Sequence, residues 1–235
     1  MTVLLAFDTA THHCAAALLW GDRLVTRVEP MAKGQAERLV PLLEELLAEA
    51  GLTWADLDGI GVGTGPGNFT GIRIGVAAAR GLALGLGRPA IGVTAFEAAG
   101  HGLPRPVTIT LPAPRGQIWS QHLTATGAMP PLLIHSDAPG PSADPAANHL
   151  VNLTVGPKAG PKAGPAVGPT LGPTVGPNTD PAADAATDTD PARMIAAIAR
   201  IAAGRLGAPQ PRPAPCYVRG ADAAPPRDPT PVLLP

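Results

Sequence analysis

From Gly156 to Gly176 the chain repeats a Gly-Pro pair every four residues, at 156, 160, 164, 168, 172 and 176, and this array limits how much of the sequence can be core. A four-residue step is not the three-residue repeat of collagen, and such chain favours extended polyproline-like conformations with no apolar face to bury. The 235 residues include 30 Pro and 28 Gly, with most of the prolines after residue 103. Residues 1–103 therefore read as a complete lobe and 104–136 as the start of a second. Residues 137–189 read as low-complexity chain, and 190–235 as a terminal helix with a proline-rich tail.

Within the first lobe, residues 3–7 and 14–20 are apolar runs joined by the polar turn Asp8-Thr9-Ala10-Thr11. Gly21-Asp22 separates the second run from residues 24–28, a two-residue hairpin signal because glycine takes the positive φ that the turn requires. Three antiparallel strands in succession are expected. From Gln35 the apolar residues Leu39, Leu42, Leu43, Leu46, Leu47 and Ala50 recur at helical spacing, and Gly51 ends the pattern. Pro41 predicts an irregular first turn or a later start. A fourth strand over 57–62, a glycine-rich loop over 63–71, a helix over 72–86 and a fifth strand over 89–93 follow. The second helix is unusually rich in Gly and Ala; glycine costs ~1 kcal/mol in a helix, so a closely packed neighbouring helix is expected to compensate. Residues 107–111 and 117–123 repeat the strand–turn–strand opening more faintly. Asp190-Pro191 then starts a helix with Met194, Ile195, Ile198, Ile201, Ala202 and Leu206 on one face.

Seventeen Lys and Arg against eighteen Asp and Glu leave a net charge of −1, which supplies no general attraction to phosphate backbones. Contact with nucleic acid is expected only indirectly. The first residues carry no basic region followed by a long apolar one, and no run of 18 apolar residues occurs, so a cytoplasmic protein with no membrane partner is expected. Cys14 and Cys216 read as ordinary buried or half-buried thiols rather than a disulfide framework.

Two segments carry chemistry. The Asp-Thr-Ala-Thr turn places a carboxylate and hydroxyls where a hairpin could face a phosphate, or where they simply satisfy the turn's own donors. Gly65-Pro66-Gly67-Asn68-Phe69-Thr70-Gly71, between a strand and a helix, could cradle an anion at the helix N-terminus. It matches neither the P-loop nor the dinucleotide-binding pattern. No two histidines stand four apart, so no metal site is expected, and a metallopeptidase reading lacks its ligands.

Three stretches together are similar to one family. Phe7-Asp8-Thr9-Ala10-Thr11, Gln35-Ala36-Glu37-Arg38-Leu39-Val40-Pro41 and above all Gly63-Thr64-Gly65-Pro66-Gly67-Asn68-Phe69-Thr70-Gly71-Ile72-Arg73 resemble the TsaB (YeaZ) family. The likeness covers residues 1–100 and resumes weakly at Arg115-Gly116-Gln117-Ile118-Trp119, over 191–206 and at Tyr217-Val218-Arg219. It departs at Ala10, where the superfamily's first phosphate loop has glycine, and at Pro112, where relatives have Asp.

The resemblance implies an α/β fold of actin, hexokinase and Hsp70-like (ASKHA) half-domains, with a reduced second lobe. It implies a non-catalytic scaffold or activator of the complex that adds a threonylcarbamoyl group to adenosine 37 of tRNAs reading codons that begin with A. The partners implied are a TsaD-like transferase and a TsaE-like ATPase, which hold the ATP and the metal, so this chain needs no cofactor of its own; the same helices also allow a homodimer. Asp8, Thr9, Thr11, Gly65, Gly67, Asn68, Thr70, Gly71 and Arg73 are the expected vestigial phosphate-facing surface. Leu39, Leu42, Leu43, Leu46, Ile72, Val76 and Ala79 are the expected partner interface, with packing on the chain's own sheet as the alternative for that stripe. The rival function is a small ATP-dependent kinase or ATPase of the same superfamily.

Overall fold

The structure, a computed structural model, describes residues 1–134, 150–152 and 190–218. Strands β1 (Val3–Asp8), β2 (His13–Trp20) and β3 (Arg23–Pro30) form an antiparallel meander. Helix α1 (Gln35–Glu49), strand β4 (Gly59–Gly63), helix α2 (Phe69–Leu86) and strand β5 (Ala90–Val93) follow. β4 and β5 run parallel to β1, giving one sheet of order β3-β2-β1-β4-β5. A short helix α3 (Ala95–Ala99) leads to a second sheet of β6 (Val107–Pro112), β7 (Ile118–Leu123), β8 (Leu132–Ile134) and β9 (Leu150–Asn152), in the order β8-β7-β6-β9. Helix α4 (Pro191–Gly204) is the last regular element described.

The period of two along a strand sorts the first lobe into two cores. Leu5 and Phe7 of β1, Ala16 and Leu18 of β2, and Ile60 and Val62 of β4 face α1 and α2, meeting Leu39, Leu42, Leu43, Leu46 and Leu47. Leu4 and Ala6, with Ala15 and Ala17, face the other way and meet Ile195, Ile198, Ala199 and Ala202 of α4. Both faces of β1 are covered, which is why its sequence is almost continuously apolar rather than alternating. On β4 the residues turned toward α4 are glycines. A Cβ on Gly61 would stand 2.9 Å from that of Ala202, and one on Gly59 would stand 2.5 Å from Leu206 Cδ2. Small residues on both surfaces thus let helix and sheet approach closely. Arg205 fixes the end of α4, donating from Nη1 to the Gly92 carbonyl at 3.2 Å and pairing through Nη2 with Glu97 of α3 at 2.5 Å.

Several boundaries differ from the sequence expectations for local reasons. α1 begins at Gln35 with Pro41 inside it, because Pro41 lies on the solvent side where the carbonyl it leaves without a donor meets water. β4 begins at Gly59 rather than at 57, since Thr53 and Asp56 close a capping box around the turn before it. α2 begins three residues early, at Phe69, because Asn68 caps it. β9 lies inside the range read as low-complexity and pairs with β6 in parallel; the Gly-Pro array lies outside the described residues. The terminal helix is part of the first lobe's packing rather than a separate element.

The expected helix against the glycines of α2 is not found: nothing among the described residues comes within 4 Å of a Cβ built on Gly81 or Gly85. Ile72, Gly75, Val76 and Ala79 are buried, while Leu84 is 86% exposed. At 18 residues and a mean hydropathy of 1.3, α2 is long and apolar enough to cross a bilayer by length and composition alone. Only 28% of that span is buried among the described residues. The two thiols are free: burial pushes Cys14 up to about 11 and raises Cys216 as well, so neither is an activated nucleophile. The close contact at β4 yields a prediction: Gly61→Ala forces Ala202 and Ala6 apart and costs about 1–3 kcal/mol, measured by chemical denaturation against wild type. An unchanged midpoint would mean that α4 does not press on β4.

Candidate functional site

The parallel pair β1 and β4 is the point where the strand order reverses, and open α/β sheets bind ligands beyond the carboxyl ends of strands at such a point. Two segments meet there, the 8–11 turn after β1 and the 64–68 loop before α2. They are joined by one backbone and one side-chain hydrogen bond. Asn68 N donates to the Ala10 carbonyl at 2.6 Å, and Thr9 Oγ1 donates to the Gly71 carbonyl at 2.7 Å. Asn68 Oδ1 accepts from Thr70 N and Gly71 N at 2.9 and 3.0 Å, and Ile72 N donates to the Asn68 carbonyl. A Cβ on Gly71 would fall on the Thr9 carbonyl oxygen, and one on Gly67 on that of Ala10. The glycines at 67 and 71 are therefore places where the chain packs on itself, and Gly65 supplies a φ of +90° at the loop's bend.

Of the nine residues expected to face phosphate, Asp8, Thr9, Gly65, Gly67, Asn68 and Gly71 are brought together in this joint. Thr9 is buried at 1% exposure. Thr11 stands at the exposed end of the turn, its hydroxyl on the His13 ring and its carbonyl accepting from Gln35 Nε2 at 3.0 Å. Thr70 is exposed, with its N–H held by Asn68. Asp8 Oδ1 accepts from Ala10 N at 2.8 Å, an Asx turn that helps set the loop. Burial raises the Asp8 carboxyl above the ordinary carboxylate range, against the opposing pull of the Ala10 N–H and of His13. Burial likewise lowers His13, opposed by Asp8.

Arg73 is engaged elsewhere. Its Nε donates to the Tyr217 hydroxyl at 2.8 Å and its guanidinium lies 3.6 Å from the centre of the Phe69 ring. Tyr217 in turn stacks on Phe69 with ring centres 5.2 Å apart. The chain reaches this point after α4: Pro213 packs by Gly92, and Cys216 N donates to the Thr64 carbonyl at 2.8 Å. The segment forms a strap across the ends of β4 and β5. Phe69, Tyr217 and the strap were not among the expected site residues. Both aromatic positions sit in motif segments, but 144 residues separate Arg73 from Tyr217, and no local pattern pairs them.

The residues expected at a partner interface are a correction. Leu39, Leu42, Leu43, Leu46, Ile72, Val76 and Ala79 are all at most 3% exposed, because the sheet and the 8–11 turn bury them. What α1 and α2 offer outward is their opposite faces, with Val40 at 41% and Leu84 at 86% exposure. Among the described residues no three His, Cys, Asp or Glu side chains group as a metal site would require.

The model of the family described as "TsaD: tRNA N6-adenosine threonylcarbamoyltransferase" matches residues 29–119. The Escherichia coli K12 "tRNA threonylcarbamoyladenosine biosynthesis protein TsaB" is 39% identical over 100 residues, 42% of this chain and 43% of that protein. Over its first hundred residues the chain is similar to the TsaB (YeaZ) family. The Haemophilus influenzae TsaB protein is 38% identical over 95 residues, 40% of each chain. A Pseudomonas aeruginosa crystal structure, of a protein with similarity to the peptidase YeaZ, superposes with a TM-score of 0.54 at 29% identity over 64% of this chain and 74% of that one. The chain spans less than half the length of the curated TsaB relatives it matches. The fold is the mixed α/β one of the YeaZ structures.

The joint gives two predictions. Gly71→Ala drives a methyl group into the Thr9 carbonyl and should cost more than 1 kcal/mol, lowering the melting temperature, whereas Gly81→Ala in open space should be neutral or stabilising. For Asp8, a pKa raised in the folded state means that its ionised form weakens the fold at neutral pH and that this cost disappears as pH falls through the folded value. Asp8→Asn is therefore expected to raise the melting temperature near neutral pH, with the gain shrinking on acidification; a gain independent of pH would contradict the assigned burial.

Proposed function

We propose that the chain is a non-catalytic scaffold and activator in the biosynthesis of threonylcarbamoyladenosine in tRNA. The observation that carries this reading is the packed joint: the N–H groups of Asn68, Thr70, Gly71 and Ile72 already serve the Ala10 carbonyl, Asn68 Oδ1 and the Asn68 carbonyl. With these four donors engaged and the thiols of both cysteines raised by burial, the lobe's contribution is its surface. Its partners are a TsaD-like transferase subunit and a TsaE-like ATPase in the cytoplasm, and ATP and metal belong to them. Docking uses the outward faces of α1 and α2, where Val40, Ala77, Gly81 and Leu84 lie open. Gly81 and Gly85 permit the close helix approach that nothing in the described chain supplies.

The test is co-purification with the host's TsaD-like subunit, followed by an assay of tRNA modification with the other components present. Leu84→Glu is expected to abolish pairing and modification while leaving the melting curve unchanged. Leu42→Glu, at a buried position, is expected to unfold the lobe instead, by 3 kcal/mol or more on the scale of about 3–5 for a buried unpaired charge. Magnesium-ATP hydrolysis by the isolated chain, lost in Asp8→Ala, would replace this reading with the small ATPase.

A further inference from the structure

The chain has only seven aromatic side chains, three Phe, three Trp and one Tyr. Three of them line a single shallow slot between the two sheets: Phe69 at the start of α2, Trp119 of β7 and Tyr217 of the strap, with Pro66, Gly67, Cys216 and Val218 completing the wall. Phe69 and Tyr217 are 47% and 38% exposed. Arg73 stands beside them, flat against the Phe69 ring with Nε on the Tyr217 hydroxyl, and its terminal amino groups make no hydrogen bond among the described residues.

We propose that this slot, walled by Phe69, Tyr217 and Trp119 and edged by Arg73, binds one unpaired base of RNA. The inference rests on the tRNA reading above and names a contact that this chain makes itself. Its walls are planar rings, which stack with any base, and unpaired bases are read by aromatic and arginine planes of this kind. Its polar edge is made of donors, the free guanidinium N–H groups and the tyrosine O–H, and these meet the carbonyl and ring-nitrogen acceptors of a base edge. An apolar side chain from a partner protein would instead leave those donors without bonds. A single stacked base also needs no phosphate-binding groove, which suits a chain whose net charge is −1. The slot borders the joint at Gly67, whose own close contact is with the Ala10 carbonyl.

The experiment is photocrosslinking of the full chain, with its TsaD-like partner present, to a short single-stranded RNA containing one 4-thiouridine. Crosslinks are expected on Phe69, Trp119 or Tyr217. Phe69→Leu and Trp119→Leu, which keep apolar bulk on two different elements, should each reduce the yield roughly tenfold or more with the melting curve unchanged. Crosslinks mapping elsewhere, yields equal to wild type in both variants, or crosslinks from the slot to the partner protein would overturn the proposal. Absence of RNA crosslinks while pairing and tRNA modification persist removes the slot and leaves the pathway reading standing. If pairing and modification are also absent, the pathway reading falls as well.

Discussion

The hydrogen bonds and close contacts between the 8–11 turn and the start of α2 hold the first lobe in register. Thr9 and Ala10 present carbonyls into space that only glycine at 71 and 67 leaves open, and Asn68 both caps α2 and bonds to that turn. Through this joint the end of β1 fixes the direction of α2, and α2 carries Phe69 and Arg73 to the strap. An anion at a helix start is held by N–H groups without internal partners, and here those of Thr70, Gly71 and Ile72 are given to Asn68.

The first sheet shows how a regular alternation becomes architecture. One parity of β1, β2 and β4 supplies bulk to α1 and α2, while the other supplies mostly alanine and glycine to α4. Bulk on one side accommodates a leucine-rich helix; small residues on the other let an alanine-rich helix lie close. The second sheet joins this body through Phe96 of α3, which packs with Val107, Ile109, Leu111 and Leu123, and through Val218 of the strap. The aromatic slot opens at that junction, where two independently built sheets meet and side chains from distant parts of the sequence converge.

Elements governed by local periodicity were legible in the sequence. The three-strand meander follows from the apolar runs and Gly21-Asp22, and α1 follows from its leucine spacing. Boundaries set by single side chains were less so: Asn68 as a cap and the Thr53–Asp56 box move two starts by a few residues. The leucine stripe was legible as a buried face, but periodicity alone does not say whether the covering surface is the chain's own sheet or another protein. Least legible was everything built across long separations. Arg73 with Tyr217 and β4 with α4 depend on contacts that no window of neighbouring residues contains.

Because α4 covers a face of the first sheet, the lobe is discontinuous in the order of synthesis. Residues through β5 leave the ribosome roughly a hundred residues before Ala202, and at about 5–20 residues per second this interval lasts on the order of 5–20 s. During that time Leu4, Ile91 and Val93 have no helix over them, although the opposite core, with α1 and α2, is already available to form. The nascent chain therefore passes through a one-sided sheet whose apolar surface must be shielded until its last helix arrives.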